Sequence, residues 1–228
     1  IIHYGGREDG NYDGWNLWVW EEGKDGKQVD FKAEDDFGKI AVTSISKPGK
    51  VGFIVRLNEW EAKDIETDRF VEVGDGVTEI WLTSGKEKIA ETAPEGASTY
   101  DFEQEAKKLQ AIYNKKGALK VNVHFYDFKK KYKNVSAYAW IGEEDGANYQ
   151  VQKKDKFGAV FQIGFMNKKK AKTMGLKITM PDGAQDCESI RMIDLTQAKK
   201  NKLDIYIVEG NKEVYYNKKD AVKDPVIS

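Results

Sequence analysis

The chain repeats itself, and that constrains its fold more than any other feature. His3-Tyr4 is answered by His124-Phe125 at a spacing of 121, and Tyr12 by Tyr132 at 120. Trp18-Val19-Trp20 and Asp36-Phe37-Gly38 are answered at 120 by Tyr138-Ala139-Trp140 and Lys156-Phe157-Gly158. Arg69 then matches Arg191 at 122, and Ile80-Trp81-Leu82 matches Ile205-Tyr206-Ile207 at 125. The blocks keep their order while the spacing drifts, which is the mark of one module copied once and altered by small loop insertions. A length of 228 residues leaves one or two domains open at roughly 150 residues each. The repeat decides for two modules, 1–92 and 118–222, with a connector at 93–117 and a C-terminal tail at 223–228.

Within each module the apolar period is two. Residues 16–20, 39–43, 51–57 and 78–82 are short β-rich runs, bounded by turn-formers such as Asp13-Gly14, Asp25-Gly26, Pro48-Gly49 and Asp75-Gly76. The second module repeats them at 119–125, 137–141, 159–163, 175–180 and 203–208. Several short strands in about 90 residues, with no alternation of strand and helix, predict a sandwich rather than a nucleotide-binding α/β fold. In the connector, Pro94 and Gly96 stop the first module. Good helix formers from Glu105 to Ala111, with Leu109, Ile112 and Tyr113 on one face, predict a helix at about 102–115 whose apolar side docks on a module. The expected class is all-β: two antiparallel, immunoglobulin-like β-sandwich modules joined by a short linker helix.

Composition excludes several function classes. Lys and Arg number 37 against 38 Asp and Glu, a formal net charge of −1, which lacks the basic footprint of a nucleic-acid binder. No apolar run approaches the roughly 20 residues of a spanning helix. The single cysteine, Cys187, rules out an intrachain disulfide and a multi-thiolate metal site. His3 and His124 lie too far apart in sequence for a short-spaced ligand motif. No cofactor, metal or catalytic residue is therefore expected. The chain begins at Ile1 and reads as a piece of a longer polypeptide, so targeting cannot be judged from its start.

Five of the six tryptophans lie in the first module, at 15, 18, 20, 60 and 81. Trp18 and Trp20 share one face of their strand, ~6.6 to 6.8 Å apart, while Leu17 and Val19 share the other. If Leu17 and Val19 face the core, two indoles stand side by side in solvent, each a flat apolar surface edged by an N–H, which suits the apolar face of a sugar ring. The other arrangement buries the indoles and exposes Leu17 and Val19. Residues 58–70 are too polar for a core strand and read as a loop pinned by two apolar pegs, Trp60 and Phe70. It presents Lys63 and Asp68 among ordinary solvated charges.

The blocks HYGGREDGNYDGWNLWVW at 3–20 and VGFIVRLNEWEAKDIETDRFVEV at 51–73 resemble the signature blocks of the family 41 carbohydrate-binding modules, β-sandwich domains of bacterial pullulanases that bind α-glucans. The resemblance implies a stacking pair at Trp18 and Trp20, a sugar-binding lysine at Lys63 and a sugar-binding aspartate at Asp68, with structural roles for Trp15 and Trp60. The second module resembles the family more weakly. Its rings are Tyr138 and Trp140, Gln185 stands for Lys63, Ile190 for Asp68, and Val135 for Trp15, which implies weaker binding, a shifted site or a spacer role.

The expected function is non-catalytic binding of α-glucans such as amylopectin, glycogen, pullulan and maltooligosaccharides. That binding would target a covalently attached pullulanase-type catalytic domain to its substrate. The expected protein is a monomer, extracellular or on the bacterial cell surface, with no nucleic-acid partner and no membrane span. A tandem of interaction or spacer modules, with no sugar ligand in the second, is the alternative. A glycosidase would need paired carboxylates across a cleft, which a sandwich of about 90 residues rarely offers.

Overall fold

The computed structural model describes residues 1–74, 76–128, 134–142, 144, 146–181 and 184–227. Tyr132 of the repeat and Asp75 of a turn signal lie outside these residues. The chain folds into two compact units, Ile1–Tyr100 and Asp101–Ser228.

Among the described residues the first unit has ten strands: β1 (Ile2–Gly5), β2 (Trp15–Glu21), β3 (Lys27–Asp30), β4 (Ala33–Glu34), β5 (Gly38–Ala41), β6 (Gly49–Leu57), β7 (Ala62–Lys63), β8 (Arg69–Val73), β9 (Ile80–Thr83) and β10 (Ile89–Ala90). One sheet runs β10-β9-β1-β5-β4, and the other β3-β2-β6-β7 with β8 also paired to β6. Alternation along the strands creates the core between them. Ile2, Tyr4, Ala41, Ile80 and Leu82 from the first sheet meet Leu17, Val19, Val29, Val51, Phe53 and Val55 from the second. Burying residues of this kind contributes roughly 1.5–3 kcal/mol per large side chain, so the dry face of each strand fixes its register.

The second unit repeats the plan with β11 (Leu119–Tyr126), β12 (Ser136–Ile141), β13 (Ala147–Gln150), β14 (Lys153–Lys154), β15 (Ala159–Phe165), β16 (Thr173–Thr179), β17 (Arg191–Asp194) and β18 (Lys202–Val208). Its sheets run β14-β15-β11-β18 and β13-β12-β16-β17. Among the described residues the pairing in both units is antiparallel except at one place: β1 pairs with β9, and β11 with β18, in parallel. Parallel neighbours need a long crossover, and in each unit the whole second sheet lies in that crossover.

The helix expected near 102–115 is α1 (Phe102–Asn114), capped by Asp101, whose carboxylate accepts from Gln104 N. It belongs to the second unit. Leu109 packs against the core, and Tyr113 lies so close to β15 that a Cβ on Gly164 would stand 2.4 Å from its Cα. Tyr113 also donates to Asn122 Oδ1 at 2.7 Å. At the other end, α2 (Lys218–Ala221) and Asp224 return to the unit, where the Asp224 carboxylate accepts from Tyr215 OH at 2.9 Å.

Two polar devices recur in both copies. Arg69 donates to Asp64 at 2.8 Å and Arg191 to Asp186 at 2.8 and 2.6 Å, with all four side chains no more than 3% exposed. Gly85 N and Gly210 N, at equivalent positions, donate to the same carboxylates. His3 lies between Glu79 (Nε2 to Oε1, 2.7 Å) and Asp35 (3.3 Å, without hydrogen-bond alignment) and stacks on Trp81. His124 lies between Asp155 (2.7 Å) and Asp204 (3.1 Å) and stacks on Tyr206. Asp35 and Asp155 accept from the backbone N–H groups of Phe37-Gly38 and Phe157-Gly158, and the glycine is required in both modules because a Cβ there would stand 2.2 Å from Tyr4 O or 2.0 Å from Phe125 O.

Replacing Arg191 by Met leaves the Asp186 carboxylate buried without its partner. Urea unfolding should show a loss of about 3–5 kcal/mol for the transition of the second unit. Burial pushes the Asp64 carboxyl up, but hydrogen bonds from Arg69, Tyr4, Gly85 N and Ser84 outweigh it and hold the group below its ordinary range. A carboxylate lowered on folding stabilises above its unfolded value of about 3.9 and loses that contribution as pH falls through its folded value. The stability gap between the native chain and Asp64→Asn should therefore be large at pH 7 and shrink below about pH 4, measured as unfolding midpoints across that range.

Candidate functional site

Leu17 and Val19 are buried, and Trp18 and Trp20 are half-buried on the opposite face of β2. The outer face of the second sheet is thus the one that carries the indoles. Paired residues across antiparallel strands point the same way, so this face reads as three rows. Trp20 lies in line with Gly52 and Phe70. Trp18 lies in line with Gln28 and Ile54. The third row is polar: Asp30, Asn16, Arg56 and Lys63.

The indoles sit over glycines. A Cβ on Gly52 would come within 2.2 Å of the Trp20 ring, and one on Gly26 within 2.1 Å of Trp18 Nε1. Each ring therefore covers bare backbone. Phe70 meets the Trp20 ring edge-on at 5.8 Å. Trp60 meets Trp18 at 5.7 Å and 61°. Between these two indoles the Arg56 guanidinium lies 4.5 Å from one ring centre and 4.4 Å from the other. It is fixed by bonds to Asn16 Oδ1 (3.0 Å) and Gln28 Oε1 (2.9 Å). Burial lowers the Arg56 pKa, opposed by the nearby carboxylates of Glu59 and Asp30. A cation held against two rings is worth about 0.5–2 kcal/mol per contact and locks their mutual angle.

The loop that reads as pegged by Trp60 and Phe70 is built differently. Both rings are outside the core, 46% and 44% exposed. Trp60 has a left-handed backbone (φ 82°) one residue after Glu59, and Asn58 before it is also left-handed (φ 47°), so the chain turns tightly there. The anchors of this loop are Asp64 and Arg69 instead. Lys63 and Asp68 are exposed and immediately precede the two members of that pair, Lys63 opposite Arg56 on β7 and Asp68 just before β8. Trp15 is half-buried, with the Arg7 guanidinium 4.1 Å from its ring centre.

The second unit has the same three rows with other residues. Trp140 lies in line with Gly175 and Met192, and Tyr138 with Asn148 and Lys177. Ser136 lies in line with Gln150 and Thr179, and Thr179 bridges to Gln185. Tyr138 and Trp140 are half-buried, 5.5 Å apart and tilted by 40°, again over glycines. Gly146 N donates to the Tyr138 hydroxyl at 3.2 Å. The third row has lost its charges: Gln150, Thr179 and Gln185 stand where Asp30, Arg56 and Lys63 do. Lys177, at the Ile54 position, brings a cation to 5.9 Å from the Trp140 ring. Ile190 is 48% exposed, and Val135 is buried in the core. Cys187 is half-buried, its thiol pushed up chiefly by burial.

Among the described residues, no group of three or more His, Cys, Asp or Glu side chains is placed to hold a metal ion, and no helix is long and apolar enough to cross a membrane.

Solved structures similar to this chain include one described as a product complex of a multi-modular glycogen-degrading pneumococcal virulence factor, SpuA. It is 18% identical with a TM-score of 0.35, and the match covers 95% of this chain and 21% of that one, so the chain spans about a fifth of its length. A second concerns α-glucan recognition by family 41 carbohydrate-binding modules from streptococcal virulence factors (15% identical, 95% of each chain, TM-score 0.34). A third is a Eubacterium rectale carbohydrate-binding region in complex with maltoheptaose (12% identical, 96% of this chain and 97% of that one, TM-score 0.34). A family model described as "Bacterial pullanase-associated domain" matches residues 1–91 and again 119–216. With most of its length matched, and both repeats included, the chain belongs to the bacterial pullanase-associated domain family, carrying that domain twice.

Proposed function

We propose that the first unit binds α-glucan chains on the outer face of its second sheet, with Trp18 and Trp20 stacking on successive sugars and Lys63 and Asp68 completing the site by hydrogen bonds to hydroxyls. The observation that carries this reading is the alternation on β2: Leu17 and Val19 in the core, Trp18 and Trp20 over bare glycine backbone on the outside. Flat indoles take the apolar faces of sugars, and charged side chains at the margin supply charge-assisted hydrogen bonds. Trp60, held to Trp18 through Arg56, joins the platform as a third ring. Membership of a pullulanase-associated family supports an α-linked rather than β-linked glucan.

In this reading the unit is non-catalytic and belongs to a larger extracellular or surface-attached pullulanase-type protein, acting as a monomer. It holds the catalytic domain near glycogen, amylopectin or pullulan. The second unit uses Tyr138, Trp140 and Gln185 and contributes more weakly, because a phenol covers less sugar than an indole and its polar row carries no charge. Two modest sites on one chain gain avidity on a polymer when both are engaged.

Tryptophan fluorescence during titration with maltotetraose should change and saturate, with a dissociation constant on the order of 10–100 μM, or roughly −7 to −5.5 kcal/mol. Cellotetraose should leave it flat. An equal response to both sugars, or none to either, would sink the proposal. Trp20→Ala should weaken maltotetraose binding by the first unit at least tenfold, about 1.4 kcal/mol or more, with an unchanged far-UV circular dichroism spectrum. The double variant Trp18→Ala with Trp20→Ala isolates the second unit's contribution in the intact chain, and calorimetry should find it several-fold weaker than that of the first.

A further inference from the structure

We infer that the binding face of the first unit does not end at its two rings but continues into a neighbouring cavity that takes further sugar residues of the same glucan chain. This rests on the α-glucan reading of the platform and extends it.

The cavity measures about 730 Å³, within the ~300–1,000 Å³ common for ligand clefts. Its walls include Tyr12, Trp15, Asn16, Gln28, Asp30 and Glu59. Trp20, Trp18 and Asn16 follow one another on the outer face of β2 at steps of ~6.6–6.8 Å, so the line set by the two rings leads to the cavity at the next step. Asn16 and Gln28 belong to both places. They line the cavity, and they hold Arg56, whose guanidinium stacks on Trp18 and Trp60. Asp30 and Glu59, which line the cavity, are also the carboxylates that oppose the effect of burial on Arg56, so the platform's cation and the cavity's carboxylates are neighbours.

The lining chemistry suits a neutral polyol. Carboxylates at Asp30 and Glu59 can accept from hydroxyls, while the amides of Asn16 and Gln28 shape the wall from within: Asn16 donates to Gly14 O and Asn58 O, Gln28 donates to Asp30, and both accept from Arg56. The rings of Tyr12 and Trp15 supply apolar surface. Asp30 and Glu59 are exposed, so their removal costs the fold little. In the second unit Gln150 and Ser136 replace Asp30 and Asn16, which gives that copy no equivalent pair of carboxylate and amide.

The test uses the full chain carrying Tyr138→Ala and Trp140→Ala, which removes both rings of the second unit, and calorimetric titration with maltotriose through maltohexaose. Affinity should rise about tenfold from maltotriose to maltohexaose. Adding Asp30→Ala and Glu59→Ala should cut that rise to less than twofold, with maltotriose affinity unchanged within twofold. An affinity independent of length, or a rise that survives both substitutions, would overturn the extension while leaving the platform intact. Loss of maltotriose binding from the double variant would also overturn it, because those carboxylates would then be supporting the rings. A parent chain that binds no maltooligosaccharide would remove the platform reading itself, and the extension with it.

Discussion

The buried ion pair between Asp64 and Arg69 is the interaction on which the candidate site depends. It closes the base of the 58–69 loop and gathers Tyr4, Ser84 and the backbone of Gly85 onto one carboxylate. The loop above it has little apolar anchorage, since Trp60 and Phe70 both face outward. Buried ion pairs add little net stability once desolvation is counted, but they are intolerant of alternatives, because any other arrangement leaves a charge stranded. Their use here is to specify one loop conformation, and through it the positions of Trp60, Lys63 and Asp68. The second unit retains the pair as Asp186 and Arg191 while almost every polar residue above it differs.

That contrast separates frame from surface. The bracketed histidines, the Asp35 and Asp155 turns, the parallel closing strands and the ion pairs are common to both units. The outer rows are not. In the first unit the row beside the rings carries Asp30, Arg56 and Lys63; in the second it carries Gln150, Thr179 and Gln185, and a lysine has moved one row inward to position 177. One fold thus holds two differently charged faces, as expected when core packing and ligand contact are constrained independently.

Much of this was legible in the sequence. The repeat, the longer strands, the helix and the outward aim of Trp18 and Trp20 follow from spacing and from alternation against Leu17 and Val19. The register that sets Gln185 opposite Thr179, as Lys63 lies opposite Arg56, is the one implied by the Arg69 and Arg191 match. What stayed hidden depended on distant partners or on unusual backbone. Arg56 is the next-to-last residue of the β-rich run 51–57, and only parity with Gly52 and Ile54 puts it on the outer face. Trp60 needed a left-handed φ to leave the core and reach Trp18, and nothing in an Asn-Glu-Trp sequence announces that. The carboxylates around His3 come from positions 35 and 79, and two-residue strands such as β4 and β7 are too short for any period to register.

The glycines beneath the rings carry a consequence of another kind. Gly26, Gly52, Gly146 and Gly175 lie beneath Trp18, Trp20, Tyr138 and Trp140, so each aromatic rests in a seat defined by a missing side chain on a neighbouring segment. Such a seat limits the rotamers open to the ring before any ligand arrives, and recognition then begins from a surface whose entropy has already been surrendered during folding. On the proposed reading, part of the information for ligand choice is therefore stored in positions beneath the rings rather than on the exposed surface. A copy of the module can lose its charged row and still inherit the shape of the platform, which leaves a duplicated domain free to drift toward a new sugar without first having to rebuild a place for it.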